Sequence, residues 1–232
     1  WERGVNAQQR RLVEVYDKWA VGVRLQLAAM AQKGAGIQEQ TLFLNRNLPL
    51  LETGLQQAMQ QGTLAATKRA LSGISPTAGV NSLVTKQIML NDTLVKEALI
   101  PHLQKNLLEA IGKSIATDKA LLKEAFITLR NRPAQYAGGY WVMLFDVQRQ
   151  IGLEQQHEKV RKGEELDRIR WMLDPEAVHC VASPGRYGCV DLAGEYEGWD
   201  SLPAVPAGQV TCYGNCRCHL EIFRNGEWRR GL

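Results

Sequence analysis

The five cysteines of this 232-residue chain all fall in its last 53 residues, at Cys180, Cys189, Cys212, Cys216 and Cys218. The first 179 residues contain none, so cysteine is not used here as an ordinary small core residue. Thiols gathered this way work together, as metal ligands or as disulfides. The last three stand in one short segment, Cys-Tyr-Gly-Asn-Cys-Arg-Cys, where Gly214 and Asn215 tolerate the left-handed backbone that a chelating turn uses.

Two pairs of thiolates joined by a loop suit a tetrahedral zinc ion, because each pair sits on a turn and the loop folds one turn onto the other. The pairs expected are Cys180 with Cys189, and Cys212 with Cys216 or Cys218. The first is loose: eight residues separate its cysteines, with Ser183-Pro184-Gly185 and Gly188 marking a small inserted loop. Five thiols for four places leave one over. Cys218 is taken as the spare because a strand begins there, so the expected ligands are Cys180, Cys189, Cys212 and Cys216, with a structural Zn2+. His179 and His219 flank the cluster as replacements for a thiolate. Disulfides are the competing reading; an odd count and the lack of an apolar signal segment count against it.

Hydrophobic periodicity changes at this module. Ile169, Trp171 and Leu173 alternate with Arg168, Arg170 and Met172, which is strand spacing, and Asp174-Pro175 stops the run. Cys218, Leu220 and Ile222 alternate again, and Asn225-Gly226 provides a tight turn into Glu227-Trp228-Arg229. A small antiparallel sheet follows, too short at about 65 residues to hold together without a staple. Asp191 and Glu195 read as solvated loop residues.

Upstream the period is helical. Leu12, Val15, Tyr16, Trp19, Val23 and Met30 recur at three- and four-residue steps until Gly34 and Gly36. A second helix carries Leu48, Leu51, Leu55 and Met59 with Pro49 in its first turn, and a shorter one spans Leu64 to Leu71. The run Leu83 to Ile111 is kinked or divided by Pro101. Thr117 or Asp118 caps a helix through Leu129, and a last helix runs from Pro133 towards Lys162-Gly163. The expected fold is α+β, mainly α: an elongated helical domain over residues 1–166 and a zinc-clipped β module over 167–232. No apolar run approaches the roughly 20 residues that span a bilayer, so no membrane partner is expected. The net charge of +4 is mild and permits nucleic-acid contact without predicting it. Beginning with Trp1, the chain reads as a fragment, a processed product or the ordered part of something longer.

The run Ile169 to Pro175, then Cys180, Cys189, Leu192-Ala193-Gly194, the stretch from Trp199 to Pro206, and Asn215-Cys216-Arg217-Cys218-His219-Leu220 resembles the carboxy-terminal part of phage minor head proteins of the Mu F-like head-morphogenesis family. The resemblance covers roughly residues 135 to 223. It departs from the family in the first pair, usually two residues apart, and in Cys212, which stands near a place often held by histidine. The resemblance implies a non-enzymatic virion protein, a minor capsid component near the portal. It would act in head morphogenesis and in genome packaging or delivery. Its implied partners are the portal and major capsid proteins, with packaged DNA as a further candidate. Assembly would begin in the host cytoplasm. The main alternative is a zinc-ribbon nucleic-acid-binding protein that uses Arg217, Arg224, Arg229 and Arg230 with Phe223 and Trp228. A third is a zinc-dependent hydrolase with Glu195 or Glu221 as base.

Overall fold

The computed structural model describes residues 2–116, 120–206, 210–211, 216–224 and 226–230, with the side chains of residues 2, 3, 114–116 and 141 left out. The chain is mainly helical with one small antiparallel sheet. Helices α1 (Glu2–Gln32), α2 (Ile37–Leu71), α3 (Ala78–Leu94), α4 (Ile100–Ala116), α5 (Ala120–Leu129) and α6 (Gly139–Lys162) come first. They are followed by β1 (Arg168–Met172), the single helical turn α7 (Cys189–Leu192), β2 (Gly194–Tyr196), β3 (His219–Arg224) and β4 (Glu227–Arg230). By contact the residues form two compact units, 1–62 with 88–137 and 63–87 with 138–232. The chain passes between them at three points, and α6 is grouped with the sheet, so this grouping does not follow a division at residue 166.

The first unit is built on aliphatic periodicity. Leu12, Tyr16, Val23 and Leu27 of α1, Leu44, Leu51 and Leu55 of α2, and Leu103, Leu107 and Ile111 of α4 are 4% exposed or less and share one core. Each such side chain contributes about 2 kcal/mol through removal of apolar surface from water. The two helices expected between Pro49 and Leu71 are one, and Pro49 lies inside it rather than in its first turn. The neighbours Leu48 and Leu51 are buried, and that packing offsets the lost backbone bond. Gly62 does not break α2 either. A Cβ there would come within 2.5 Å of the Gln8 amide, which is buried and donates to the Ala58 carbonyl at 2.9 Å. Glycine at 62 is thus a packing choice. Pro101 acts as expected: a five-residue π-helical turn, Val95–Leu99, separates α3 from α4 and absorbs the missing donor. The cap expected from Thr117 or Asp118 lies outside the described residues.

In the second unit Thr77 caps α3 by accepting from Val80 N at 3.2 Å and donates to Glu154 of α6 at 3.0 Å. Helix α6 buries Met143, Leu144, Phe145 and Val147 and ends at Gly163, whose φ of 69° closes the last turn. The segment after β2 is fastened to α6 side by side. Trp199 lies so close to Gly152 that any Cβ there would overlap the indole. Trp199 N donates to Gln156 Oε1 at 2.6 Å, and Arg149 donates to the Leu202 carbonyl at 2.7 Å.

The sheet order is β2-β1-β3-β4, antiparallel throughout. Strands β1, β3 and β4 follow the sequence pattern, and β1 buries Ile169 and Trp171 as its alternation requires. Strand β2 is an addition, since Gly194–Tyr196 reads as loop, and Glu195 is a strand residue. The turn between β3 and β4 contains Gly226 at φ 83°; Asn225 is outside the described residues. Across the outer face, register aligns Glu195, Arg170, Glu221 and Arg230 in one row of alternating charge. Beside it Arg168 lies 4.3 Å from the Phe223 ring centre and Arg170 4.3 Å from that of Trp228.

Candidate metal centre

The eight-residue spacer between Cys180 and Cys189 folds into a device that brings the two together. Ser183 and Arg186 exchange backbone bonds of 3.2 and 2.9 Å around Pro184-Gly185, with Gly185 at φ 74°. Proline followed by left-handed glycine is the chemistry of a type II turn. Beyond the turn the chain doubles back, and a Cβ on Gly188 would come within 2.5 Å of the Ala182 nitrogen, so only glycine fits. Gly188 N donates to Asp191 Oδ2 at 3.1 Å, which starts α7 with Cys189 as its first residue. Asp191 is therefore an exposed capping residue of a helical turn rather than a loop residue. The result is Cys180 Sγ 3.3 Å from Cys189 Sγ, with Cys189 N donating to Cys180 Sγ at 3.2 Å.

The other side of the cluster comes from the residues leading into β3. Cys189, Cys216 and Cys218 place their sulfur atoms within 4.8 Å of one another, and Cys189 and Cys218 are almost wholly buried. Cys218 is thus part of the cluster and not the spare that the sequence suggested. The strand starts one residue later, at His219, which leaves Cys218 free to turn inward beside Trp171. Cys180 touches Cys189 but does not meet the same 4.8 Å condition with both of the others. Cys212 lies outside the described residues. Its neighbour Thr211 is tied to the first loop, donating from N to the Tyr187 carbonyl at 3.0 Å and lying 3.1 Å from Ser183 Oγ. Among the described residues neither His179 nor His219 is grouped with the sulfur atoms, and His219 lies 3.5 Å from Glu221.

Distances and electrostatics fit a cation. Four sulfurs about 2.3 Å from a tetrahedral ion stand about 3.8 Å apart, and Cys189 Sγ and Cys216 Sγ are 3.7 Å apart. Among the described residues no two cysteines are joined in a disulfide. Cys218 is held above the usual thiol range: a hydrogen bond from Cys189 favours its thiolate, but Cys216 and burial outweigh it. Three thiolates cannot share this space without a positive charge between them, and a metal ion that provides it expels their protons. The Trp171 indole N–H has no partner with proper hydrogen-bond geometry, yet its dipole also favours the Cys218 thiolate. Cys189, Cys216 and Cys218 can therefore hold a metal ion.

Both carboxylates named as bases face arginines, Glu195 standing 3.7 Å from Arg168 and Glu221 next to Arg170. Glu221 accepts from Arg170 at 2.6 Å; burial would raise its pKa, but Arg170 and then His219 hold it below the usual range. Asp167, also pushed up by burial and pulled down more strongly, accepts from both Lys159 and Arg224 at 2.8 Å. No family model, curated protein or solved structure matches the chain.

Proposed function

We propose that this chain is a phage minor head protein, acting in head morphogenesis and in genome packaging or delivery near the portal, with a structural zinc ion in its carboxy-terminal module. What carries the reading is the placement of the two cysteines of the Asn-Cys-Arg-Cys motif. Cys216, half-buried, and Cys218, buried, stand with the buried Cys189 in one group at the entrance to β3. Zinc is the metal of choice because a thiol-only donor set is soft and tetrahedral sulfur sites are filled by zinc or by iron–sulfur clusters. The fourth ligand comes from Cys180 or Cys212. Such a site is closed, so its role is to rigidify a docking surface towards the portal or capsid protein rather than to activate water.

The zinc-ribbon alternative is less well supported by the arginines it would use. Of these, Arg224 is bound to Asp167 and Arg229 faces Glu227 at 3.4 Å. Guanidiniums already paired with carboxylates release few counterions from phosphate. The hydrolase reading is weaker still, since a base needs a pKa near the working pH and Glu221 is shifted away from it.

The test is association of the purified full chain with the portal protein and procapsids of its own virus, before and after chelation. One zinc per chain by elemental analysis, with portal binding lost on chelation, is the expected result. Tight, steeply salt-dependent DNA binding without portal or procapsid association would replace this reading with the nucleic-acid one.

A further inference from the structure

A cavity of about 470 Å³ lies in the first unit, where the last turns of α1, the loop to α2 and the start of α5 meet. That size suits a small ligand. Leu25, Leu27, Ala28 and Ala31 of α1 and Leu122 of α5 form its apolar wall. The α1 residues run along about 9 Å of helix, and the two alanines leave room beside it. Leu25 is 61% exposed, so part of this wall is left in water. The loop 34–36 closes one end, fixed by the buried Gln40 amide, which donates to the Ala35 carbonyl at 3.0 Å.

The opposite end is cationic. Arg130 of α5 binds Asp17 of α1, while Leu122, about two turns earlier on α5, lines the cavity with α1 residues beyond Arg24. The two helices therefore run antiparallel, and Lys123 comes level with Arg24, each about two turns from the Asp17–Arg130 pair. Both cations line the cavity, and neither has a partner among the described residues. No carboxylate is among the described lining residues. Two like charges on facing helices repel each other, and an anion placed between them relieves that repulsion.

We infer that this cavity binds a small amphipathic carboxylate with a narrow aliphatic body. The carboxylate sits between Arg24 and Lys123, and the body lies along α1 over Leu25, Ala28 and Ala31, against Leu122. The site rests on neither the metal nor the head-protein reading.

The test is titration of the 15N-labelled full chain with octanoate, read at the backbone amides of Ala28, Ala31, Gly36 and Leu122. Octanol is the uncharged control and octylammonium the cationic one. The expected result is a progressive shift of these amides with octanoate, roughly tenfold weaker binding of octanol and no binding of octylammonium. Arg24→Gln/Lys123→Gln should weaken octanoate about tenfold and leave octanol unchanged, a split that a loss of structure would not produce. Ala28→Phe, at an exposed position, should fill the groove and abolish binding of both. The inference is overturned if octanoate at about 10 mM moves none of these amides, if octanol or octylammonium binds as well as octanoate, or if either variant binds octanoate unchanged.

Discussion

The two compact units of this protein reach stability by opposite routes. The first spreads its core over more than twenty buried residues from α1, α2, the π-helical turn, α4, α5 and Ala137, and losing one leaves the others in place. The second also buries apolar side chains, on α6, β1, β3 and the segment after β2, but adds contacts without substitutes: three sulfurs, one indole against one glycine, one aspartate shared by Lys159 and Arg224. A redundant core tolerates change and is readable from periodicity. A concentrated one fails at single points, and those points involve residues far apart in sequence.

The sharpest way to break this comparison is to remove the proposed metal ion. Chelation, or Cys189→Ser, should abolish protection from hydrogen exchange across residues 167–230, with partial loss in α6, while α1 and α4 stay protected. Structural metal sites carry most of the folding energy of such small modules, on the order of 10 kcal/mol. Equal loss in α1 would show that the units fold as one.

Next in size is Leu103→Ala in the first core, expected to cost about 2–5 kcal/mol in a denaturant titration without altering metal content. Gly152→Ala should cost about 1–3 kcal/mol by displacing Trp199. Gly112→Ala in α4, where nothing lies within 4 Å of the added Cβ, should instead be neutral or stabilising by about 0.5–1 kcal/mol. Similar behaviour of the two glycine variants would remove the claim that the second unit hangs on single contacts.

The smallest effect concerns Asp146 on α6. Burial raises its pKa to about 6, against opposing pulls from Arg149 and Lys86. A folded carboxyl that holds its proton more tightly than the unfolded one stabilises most below pH 4, and that contribution is lost as pH rises through about 6. Asp146→Asn should therefore stabilise the second unit at pH 7 by about 2 kcal/mol and change little at pH 4. Thermal melts at the two pH values check the sign.

What the sequence disclosed follows the same divide. Helical spacing at Leu48, Leu51 and Leu55 and strand alternation at Ile169 and Trp171 are local signals, and both elements formed where those signals stand. Pro101 was legible because a missing donor has a local effect. Pro49 and Gly62 misled because what keeps α2 continuous is packing, including Gln8 from fifty residues away. Strand β2 was hidden by its length, three residues with no alternation, paired only by its neighbour β1. At the cluster, Cys189 and Cys216 were found from spacing, whereas Cys218 was assigned to the strand by a one-residue error in its start. The turn at Pro184-Gly185 explains why a wide spacer still brings Cys180 to Cys189, which spacing rules for a tight zinc turn do not anticipate.

The threefold passage of the chain between its units has a consequence for biosynthesis. Residues 63–87 belong with residues that begin at Gly138, yet the fifty residues from Ile88 to Ala137 are made in between and belong elsewhere. At about 5–20 residues per second, this segment leaves the ribosome roughly 3–10 seconds before its first partners exist. Exposed Ile74 and the apolar side of α3 must wait through that interval in the company of a half-made helical core. The nascent chain is most open to aggregation and to chaperone capture in that window, before α6 has emerged.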